Sequence, residues 1–249
     1  MPYGSDFFST HHPGAASSAA VIVPLLLELT GAISVVDVGC GIGTWLAEFA
    51  ARGMTDSHGF DGAWVKPEQL VIPCERFTPA ELGTSVPRQR TFDLAISLEV
   101  AEHLPETSAD RFVESLTTLA PIVVFSAAIP MQGGTDHVNE QWPGYWAAKF
   151  AAHGFAAIDC IRERIWNAPG VEWWYAQNTI LYASESAFAR SAALRTLAAA
   201  QGGEPRALVH PRCFIAKATQ PIGLRRIIRE LPGAAASALR AKDGGATSP

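Results

Sequence analysis

A glycine-rich loop between a strand pattern and a helix pattern constrains this chain more than any other feature. Residues 33–39, "ISVVDVG", form a continuous apolar run, as in strands that are buried on both faces of a parallel sheet. Gly39, Gly41 and Gly43 follow in one turn, and "GTWLAEFAARG" continues as a helix pattern. Glycines let a backbone turn sharply and approach a ligand without interference from Cβ. The loop therefore predicts a ligand cleft at the carboxyl end of this strand.

Strand and helix patterns alternate over most of the chain. Further strands are predicted in "SHGFDGAWV" (ending at Asp61), "TFDLAISLEV", "PIVVFSAAI", "FAAIDCI" and "NTILYAS", with a short one near Cys74 to Phe77. Helix patterns lie between them, for example "SADRFVESLTTLA" and "YWAAKFAAHG". This alternation predicts an α/β fold with a parallel, doubly wound sheet.

The sheet pattern stops near Ser184, which predicts a domain over residues 1–184 and a helical extension and tail over residues 185–249. The segment 187–203 is predicted to be a helix packed outside the core. From Glu204 onward there are eight Lys and Arg against three Asp and Glu. Residues 223–233, "GLRRIIRELPG", are consistent with a helix that contacts a membrane surface or a partner. A solvated C-terminal helix is the preferred interpretation.

Composition excludes several functional classes. The formal net charge of the 249 residues is −5, so no global basic field recruits nucleic acid. Four cysteines lie far apart without a C-x-x-C pair, which predicts unpaired thiols of a cytoplasmic protein. The N-terminus lacks the basic region of a signal peptide. The run "AAVIVPLLLEL" is too short to span a bilayer and contains Pro24, so no transmembrane segment is expected.

The spacing of the glycines distinguishes between cofactors. A dinucleotide loop, G-x-G-x-x-G, needs glycine at position 44, where this chain has Thr44, and this disfavours an NAD oxidoreductase. The pattern D-x-G-x-G-x-G, which starts at Asp37, resembles motif I of the class I S-adenosylmethionine (SAM)-dependent methyltransferases. The resemblance implies a Rossmann-like, seven-stranded, mostly parallel sheet with flanking helices. It also implies that Asp37 helps to hold the cationic methionyl end of SAM.

Two further segments are similar to the same family. Asp61 ends the next strand, where the family binds the ribose hydroxyls, and Gly62 is small enough to admit the adenosine. "FDLAISLEVAEHLPE" resembles the fourth motif, whose strand-end acid lies below the cofactor. The resemblance covers roughly residues 15–183. It implies SAM-binding residues Asp37, Gly39, Cys40, Gly41, Gly43, Asp61, Gly62, Phe77, Ser97 and Glu99.

The segment "EVAEHL" has two interpretations. If a helix begins directly after the strand, Glu99, Glu102 and His103 share one face and could bind a divalent ion. The segment resembles the E-x-x-E-H of ubiquinone-biosynthesis O-methyltransferases and of small-RNA 2′-O-methyltransferases, and in the latter a downstream histidine completes a metal site. That comparison adds His137 to the candidate ligands. The preferred alternative is that these residues are polar cleft wall without a metal.

A second polar segment, "GGTDHVNEQWPGYW", follows the strand that ends near Ala128. Histidine is the side chain best matched to take a proton near neutral pH, so His137 is a candidate base, with His103 and Glu140 as further catalytic candidates. In the alternative interpretation, Asn139 and Glu140 cap the helix that begins near Pro143. Trp146 and Phe150 are predicted to be core.

The aromatic segment "RIWNAPGVEWWYAQN", residues 164–178, has three equal interpretations: a substrate wall that includes Trp174 and Tyr175, a β-hairpin, or a dimer contact. The leading functional interpretation is a SAM-dependent methyltransferase that acts on oxygen of a small-molecule, glycan or lipid-linked acceptor. A metal-assisted RNA 2′-O-methyltransferase and a non-catalytic SAM-binding partner protein are the alternatives.

Overall fold

The structure is a computed structural model that describes residues 5–88 and 90–219, with side chains from residue 13 onward. The predicted basic helix at residues 223–233 lies outside the described residues. The strands are β1 (Ser34–Val38), β2 (Asp56–Asp61), β3 (Phe77–Pro79), β4 (Leu94–Leu98), β5 (Ile122–Ser126), β6 (Phe155–Ile158) and β7 (Ile180–Ser184). The helices are α1 (Ser5–Thr30), α2 (Thr44–Ala51), α3 (Ala109–Leu119), α4 (Pro143–Ala152), α5 (Arg162–Ile165), α6 (Trp173–Asn178), α7 (Glu185–Arg190), α8 (Ala192–Gln201) and α9 (Pro211–Ala218).

The seven strands form one sheet in the order β3-β2-β1-β4-β5-β7-β6. Every pair is parallel except those of β7, which runs antiparallel to both β5 and β6. The predicted seven-stranded, mostly parallel, Rossmann-like sheet is therefore confirmed. From β1 the chain proceeds outward to β2 and β3, whereas from β4 it proceeds to β5 on the other side. The switch point between β1 and β4 is where open α/β sheets bind ligands.

Helices cover both faces of the sheet. One apolar cluster contains side chains from α1 and α2, among them Leu26, Leu46 and Phe49. The other contains side chains from α3 and α4, among them Phe112 and Phe150. Each strand of the switch region is buried on both faces, which explains the continuous apolar runs in the sequence.

The helix α1 contains the one stretch of the described residues, residues 13–30, that is long and apolar enough to cross a membrane by length and composition. The core helix of a globular protein passes the same test. Ile22, Val23 and Leu26 are at most 1% exposed and belong to the apolar cluster shared with α2. Of the stretch over residues 13–30, 33% is buried. The helix is longer than the apolar run in the sequence, so the expectation that this region is too short to span a bilayer is wrong by length.

Two local predictions are wrong. Residues Cys74–Arg76 form a 3₁₀ turn, and the short strand follows it as β3. The segment predicted as one helix outside the core is two helices, because Ser191 breaks the segment and its hydroxyl caps α8 by accepting from the Leu194 amide at 3.2 Å. Leu194 is fully buried in the core.

The chain divides into a compact unit over Met1–Cys213 and a second unit over Phe214–Pro249. Within the first unit, α8 packs against β6, and Ile158 pairs with Gly202 in an isolated bridge. The predicted domain boundary after residue 184 stays a prediction.

Candidate active site

A cavity of about 600 Å³ opens at the carboxyl edge of the sheet, at the switch point. One part, which we call the glycine half, is lined from residues 37–45 and 61–64. The other part, the histidine half, is lined from residues 98–105, 132–137 and 173–175. The predicted site residues that line the cavity are Asp37, Gly39, Cys40, Gly41, Asp61, Glu99, Glu102, His103 and His137.

The glycine loop has the backbone geometry that only glycine adopts readily. The φ angles of Gly39, Gly41 and Gly43 are +90°, +55° and +90°. A Cβ atom on Gly39 would lie 2.3 Å from a methyl carbon of Val100, so a side chain there would collide with the first residues after β4. The loop therefore forms a cavity floor of bare backbone.

Two carboxylates flank the glycine loop. Asp37 is 2% exposed in β1, and its Oδ2 is buried without a hydrogen-bond partner among the described residues. Asp61 accepts hydrogen bonds from the Gly41 amide at 2.7 Å and the Gly62 amide at 2.6 Å. Burial raises the pKa of the Asp37 carboxyl well above its ordinary value, and the nearby Asp61 raises it further. A cationic or hydrogen-bond-donating ligand would relieve this arrangement.

The remaining predicted cofactor residues lie around the loop. Cys40 is buried, and burial, with Asp37 and Asp61, raises the pKa of its thiol. The Ser97 hydroxyl donates to the Val38 carbonyl at 2.8 Å, so it joins β4 to β1 and does not line the cavity. Three other predicted residues also lie outside the cavity lining: Gly43, Gly62 and Phe77. The indole of Trp64 lies across Gly62, where a Cβ atom would be 2.2 Å from the ring.

Glu99, directly after β4, has a left-handed backbone with φ +57°. Its carboxylate accepts from Nδ2 of Asn178 at 3.0 Å and from Nε2 of Gln132 at 3.1 Å. Gln177 continues this buried chain, because its Nε2 donates to Oε1 of Gln132 at 2.9 Å and its Oε1 accepts from the His210 amide at 2.8 Å. Burial raises the pKa of Glu99, and the hydrogen bonds from Asn178 and Gln132 oppose that shift.

The predicted helix face that would unite Glu99, Glu102 and His103 is wrong. A 3₁₀ turn spans Ala101–His103, and Glu99 precedes it in the left-handed conformation. The residues that do converge are Glu102, His103 and His137, whose ligand atoms all lie within 4.8 Å of one another. Glu99, in contrast, is engaged by Asn178 and Gln132.

The convergent cluster is electrostatically unusual. Both carboxyl oxygens of Glu102 are buried without a hydrogen-bond partner among the described residues. Burial, and then the charge of Glu99, raise the pKa of Glu102 well above its ordinary value. Burial and the neighbouring His137 lower the pKa of His103 to about 4, so its imidazole is neutral at pH 7. The two imidazoles meet edge to face, with centroids 4.8 Å apart.

His137 is oriented by Glu140. Its Nδ1 lies 2.9 Å from Oε1 of Glu140, and the same carboxylate accepts from the backbone amides of Met131 and Gly133. Glu140 therefore lies behind His137 and outside the cavity lining. The alternative capping role for Asn139 and Glu140 is wrong, because α4 has Trp142 at its N-cap without a side-chain hydrogen bond.

Aromatic side chains complete the histidine half. Trp173, Trp174 and Tyr175 lie on α6 and line the cavity, so the alternative of a β-hairpin in this segment is wrong. Tyr175 packs edge to face against Trp45 with ring centroids 5.1 Å apart. Trp146 and Phe150 are core residues, as predicted.

The polar network behind Glu99 and the indole over Gly62 were not predicted from the sequence. Gln132, Gln177 and Asn178 are separated from Glu99 by 33 to 79 positions in the chain. The only indication of these residues in the sequence is that they lie near strand ends. Gln132 follows β5, and Asn178 lies two residues before the start of β7. Trp64 could have been predicted as a cavity residue, because it lies three residues after Asp61.

The fold, the glycine loop and the strand-end acids together define a class I methyltransferase. Residues 15–176 match the methyltransferase-domain family, and the chain belongs to that family. The predicted membership of the class I SAM-dependent methyltransferases is confirmed. No curated protein sequence matches the chain significantly.

Two solved structures show the same fold at low sequence identity, and a third is similar to this chain. DesVI from Streptomyces venezuelae is 16% identical over 72% of this chain and 96% of that one, with a TM-score of 0.51. A proposed O-methyltransferase from Nostoc punctiforme is 16% identical over 68% and 56% of the two chains, also with a TM-score of 0.51. Magnesium protoporphyrin IX methyltransferase from Synechocystis, with bound SAH, is 15% identical over 69% and 84%, with a TM-score of 0.49.

Proposed function

We propose that this protein transfers the methyl group of SAM to a hydroxyl oxygen of a small-molecule, glycan or lipid-linked acceptor. The observation that carries the proposal is one cavity with two different halves. The glycine half offers bare backbone and two strand-end carboxylates, and the histidine half offers an imidazole oriented by a carboxylate. In this class of protein the chemistry resides in the cofactor, and the protein supplies orientation and proton transfer.

The residues of the glycine half fit SAM. Oδ2 of Asp37, which has no hydrogen-bond partner among the described residues, suits the positively charged methionyl end of SAM. The Asp61 carboxylate suits the ribose hydroxyls, because it can accept hydrogen bonds from them with the lone pairs that the Gly41 and Gly62 amides do not use. Bare backbone at Gly39 and Gly41 allows the cofactor to approach the loop closely. When bound, SAM supplies an activated methyl group on a sulfonium sulfur.

His137 fits the role of general base. When the proton of its ring is on Nδ1, that proton faces Oε1 of Glu140, and Nε2 is free to accept a proton. The acceptor oxygen then forms a bond to the methyl carbon as the carbon–sulfur bond breaks, and Nε2 takes the hydroxyl proton. Glu140 acts as a positioning residue. His103, neutral at pH 7, is a second candidate for contact with the acceptor.

A metal-assisted RNA 2′-O-methyltransferase is the second candidate, and the cluster of Glu102, His103 and His137 favours it. One carboxylate and two imidazoles fit a borderline divalent ion such as Mn²⁺ or Zn²⁺. There the ion would act as a Lewis acid. Against this candidate are the formal net charge of −5 and a cavity whose described lining residues include no Lys or Arg.

Thermal melting and turnover with and without metal ions test whether the protein uses a metal. We expect the thermal melting temperature of chelator-treated protein to stay constant on addition of Mg²⁺, Mn²⁺ or Zn²⁺, and turnover to survive complete metal removal. A stabilisation by one ion that Glu102→Gln abolishes, together with loss of turnover in chelator, would favour the second candidate. Glu106→Gln, on an exposed turn outside the cluster, is the control.

A non-catalytic SAM-binding protein has no need of the His137–Glu140 pair. Holding one imidazole and two backbone amides on one carboxylate costs conformational freedom that a pure binding module need not lose. For location, we propose the cytoplasm, which the free thiols of Cys40, Cys74 and Cys160 support.

The test of the proposed cofactor is calorimetric titration with SAM, SAH and NAD. We expect SAM and SAH to bind and NAD not to bind. Tighter binding of NAD than of SAM would contradict the proposal. Incubation with SAM that carries a ¹³C-labelled methyl group and candidate acceptors then tests oxygen transfer, since the NMR chemical shift of the transferred methyl group distinguishes an O-methyl product from an N-methyl product.

A further inference from the structure

The charge of the cavity restricts which acceptor it can take. Among the described residues that line it, five are acidic and none is Lys or Arg. The acidic residues are Asp37, Asp61, Glu81, Glu99 and Glu102. An anionic group that enters a half-enclosed cavity gives up its hydration and needs a positive partner in return. The described lining offers no Lys or Arg for this role, so binding of phosphate or carboxylate near the reacting oxygen is disfavoured.

The hydrogen-bonding groups of the histidine half lead to the same restriction. The two oxygens of Glu102 are buried and have no hydrogen-bond partner among the described residues. They can be satisfied by a group that carries a proton, such as a hydroxyl or an ammonium, and an anion brings only further acceptors. The two buried oxygens of Glu102 therefore favour a neutral or cationic group over an anion at this position.

Aromatic rings determine the shape that fits. Trp173 and Trp174 meet edge to face with centroids 5.4 Å apart, and Tyr175 follows on the same helix. Leu104 and Pro105 add apolar surface from the turn after β4. Such a lining favours flat aromatic ligands, because rings gain from offset or edge-to-face contacts beyond their buried area.

We infer that the histidine half takes an aromatic hydroxyl compound that carries no anionic group. This inference rests on the proposed function and narrows its acceptor. It separates phenol-like molecules from phosphorylated glycans, diphosphate-linked lipids, nucleotides and RNA. A positive charge on the acceptor is compatible with the site, since the carboxylates and the faces of the indoles both attract cations.

The test uses the full-length protein saturated with SAH in a buffer that contains chelator, so that no metal ion contributes positive charge. Three phenols of similar size serve as probes: 4-ethylphenol, which is neutral, tyramine, which is cationic, and 4-hydroxyphenylacetate, which is anionic. Calorimetry or ligand-observed NMR gives each Kd. We expect the neutral and cationic probes to bind at least about tenfold more tightly than the anionic one.

A matched pair of variants tests whether the charge of the cavity causes the weaker binding of the anionic probe. Thr135 is exposed and lines the cavity, and Val138 is exposed three positions later outside the cavity lining. Thr135→Arg is expected to tighten binding of the anionic probe several-fold, whereas Val138→Arg is expected to leave it unchanged.

Each result has one meaning. Failure of SAH to bind overturns the proposed function, and is seen before any probe is added. When SAH binds, equal or tighter binding of the anionic probe overturns the charge restriction. Failure of all three probes to bind the SAH complex overturns the aromatic acceptor. If both arginine variants change binding of the anionic probe equally, the charge of the cavity does not cause its weaker binding, and this explanation is overturned.

Discussion

The two halves of the cavity are built in different ways. The glycine half comes from a short run of consecutive residues after β1 together with the end of β2, and its geometry follows from backbone angles that glycine adopts. The histidine half is assembled from three segments that lie far apart in the chain and are joined by side-chain hydrogen bonds. A cofactor common to a family can be held by the first kind of construction. An acceptor particular to one protein is accommodated by the second.

This contrast predicts that chemistry can be removed without removing the cofactor. His137→Ala is expected to lower turnover by about 10²–10⁴-fold, the range for a lost general base. Turnover is measured with labelled SAM once an acceptor is known, and His153→Ala, on an exposed position at the end of α4, is the control. Normal turnover in a folded His137→Ala protein would transfer the role of base to another residue, with His103 the next candidate.

The second prediction concerns a substitution that disrupts the glycine half. Gly39→Ala is expected to weaken SAH by about 100-fold or more, because the new Cβ atom combines an unfavourable φ with a collision against Val100. Gly53→Ala is the matched control, since Gly53 has the same φ of +90° but open space around its Cβ position. Equal SAH affinity of the two variants in calorimetry would contradict the assignment of the loop.

The third prediction concerns the carboxylate at the end of β2. Asp61→Ala is expected to weaken SAM by about 1–3 kcal/mol, because ribose hydroxyls lose a charged acceptor. Asp56→Ala, at the exposed start of the same strand, is the control. Unchanged SAM affinity in Asp61→Ala would remove this residue from the cofactor site.

The fourth prediction addresses the network behind Glu99. Gln177→Met keeps the approximate volume but leaves the His210 amide without its partner and removes one of the donors to Oε1 of Gln132, which Asn178 still contacts. The free energy of unfolding in urea is expected to fall by about 1–3 kcal/mol, with SAH affinity changed less than a few-fold. A loss of SAH binding without a loss of stability would instead place this network in the glycine half.

The fold and the glycine half could be predicted because local rules determine them. A run of buried β-branched residues, a turn that requires positive φ and a helix with one apolar face are all visible in consecutive residues. Asp61 could be found because strands β1 and β2 are parallel neighbours, which brings their carboxyl ends together.

The histidine half could be predicted only in part. His137 was visible as a polar residue in a glycine-rich loop, but its orientation by Glu140 depends on a loop in which Met131 and Asp136 adopt positive φ. The helix expected at Glu99 did not form, because its backbone enters the left-handed region and its carboxylate is drawn to Asn178. Contacts over such separations are not encoded in any local pattern.

Cofactor binding is expected not to depend on His137, and the SAH affinity of His137→Ala measures this. Calorimetric titration of SAH into this variant needs no knowledge of the acceptor, and a thermal melt on the same sample reports folding. We expect an SAH affinity within a few-fold of the wild type and an unchanged melting temperature. Loss of SAH binding together with a lower melting temperature would contradict it, because His137 would then be a structural residue of the whole cavity.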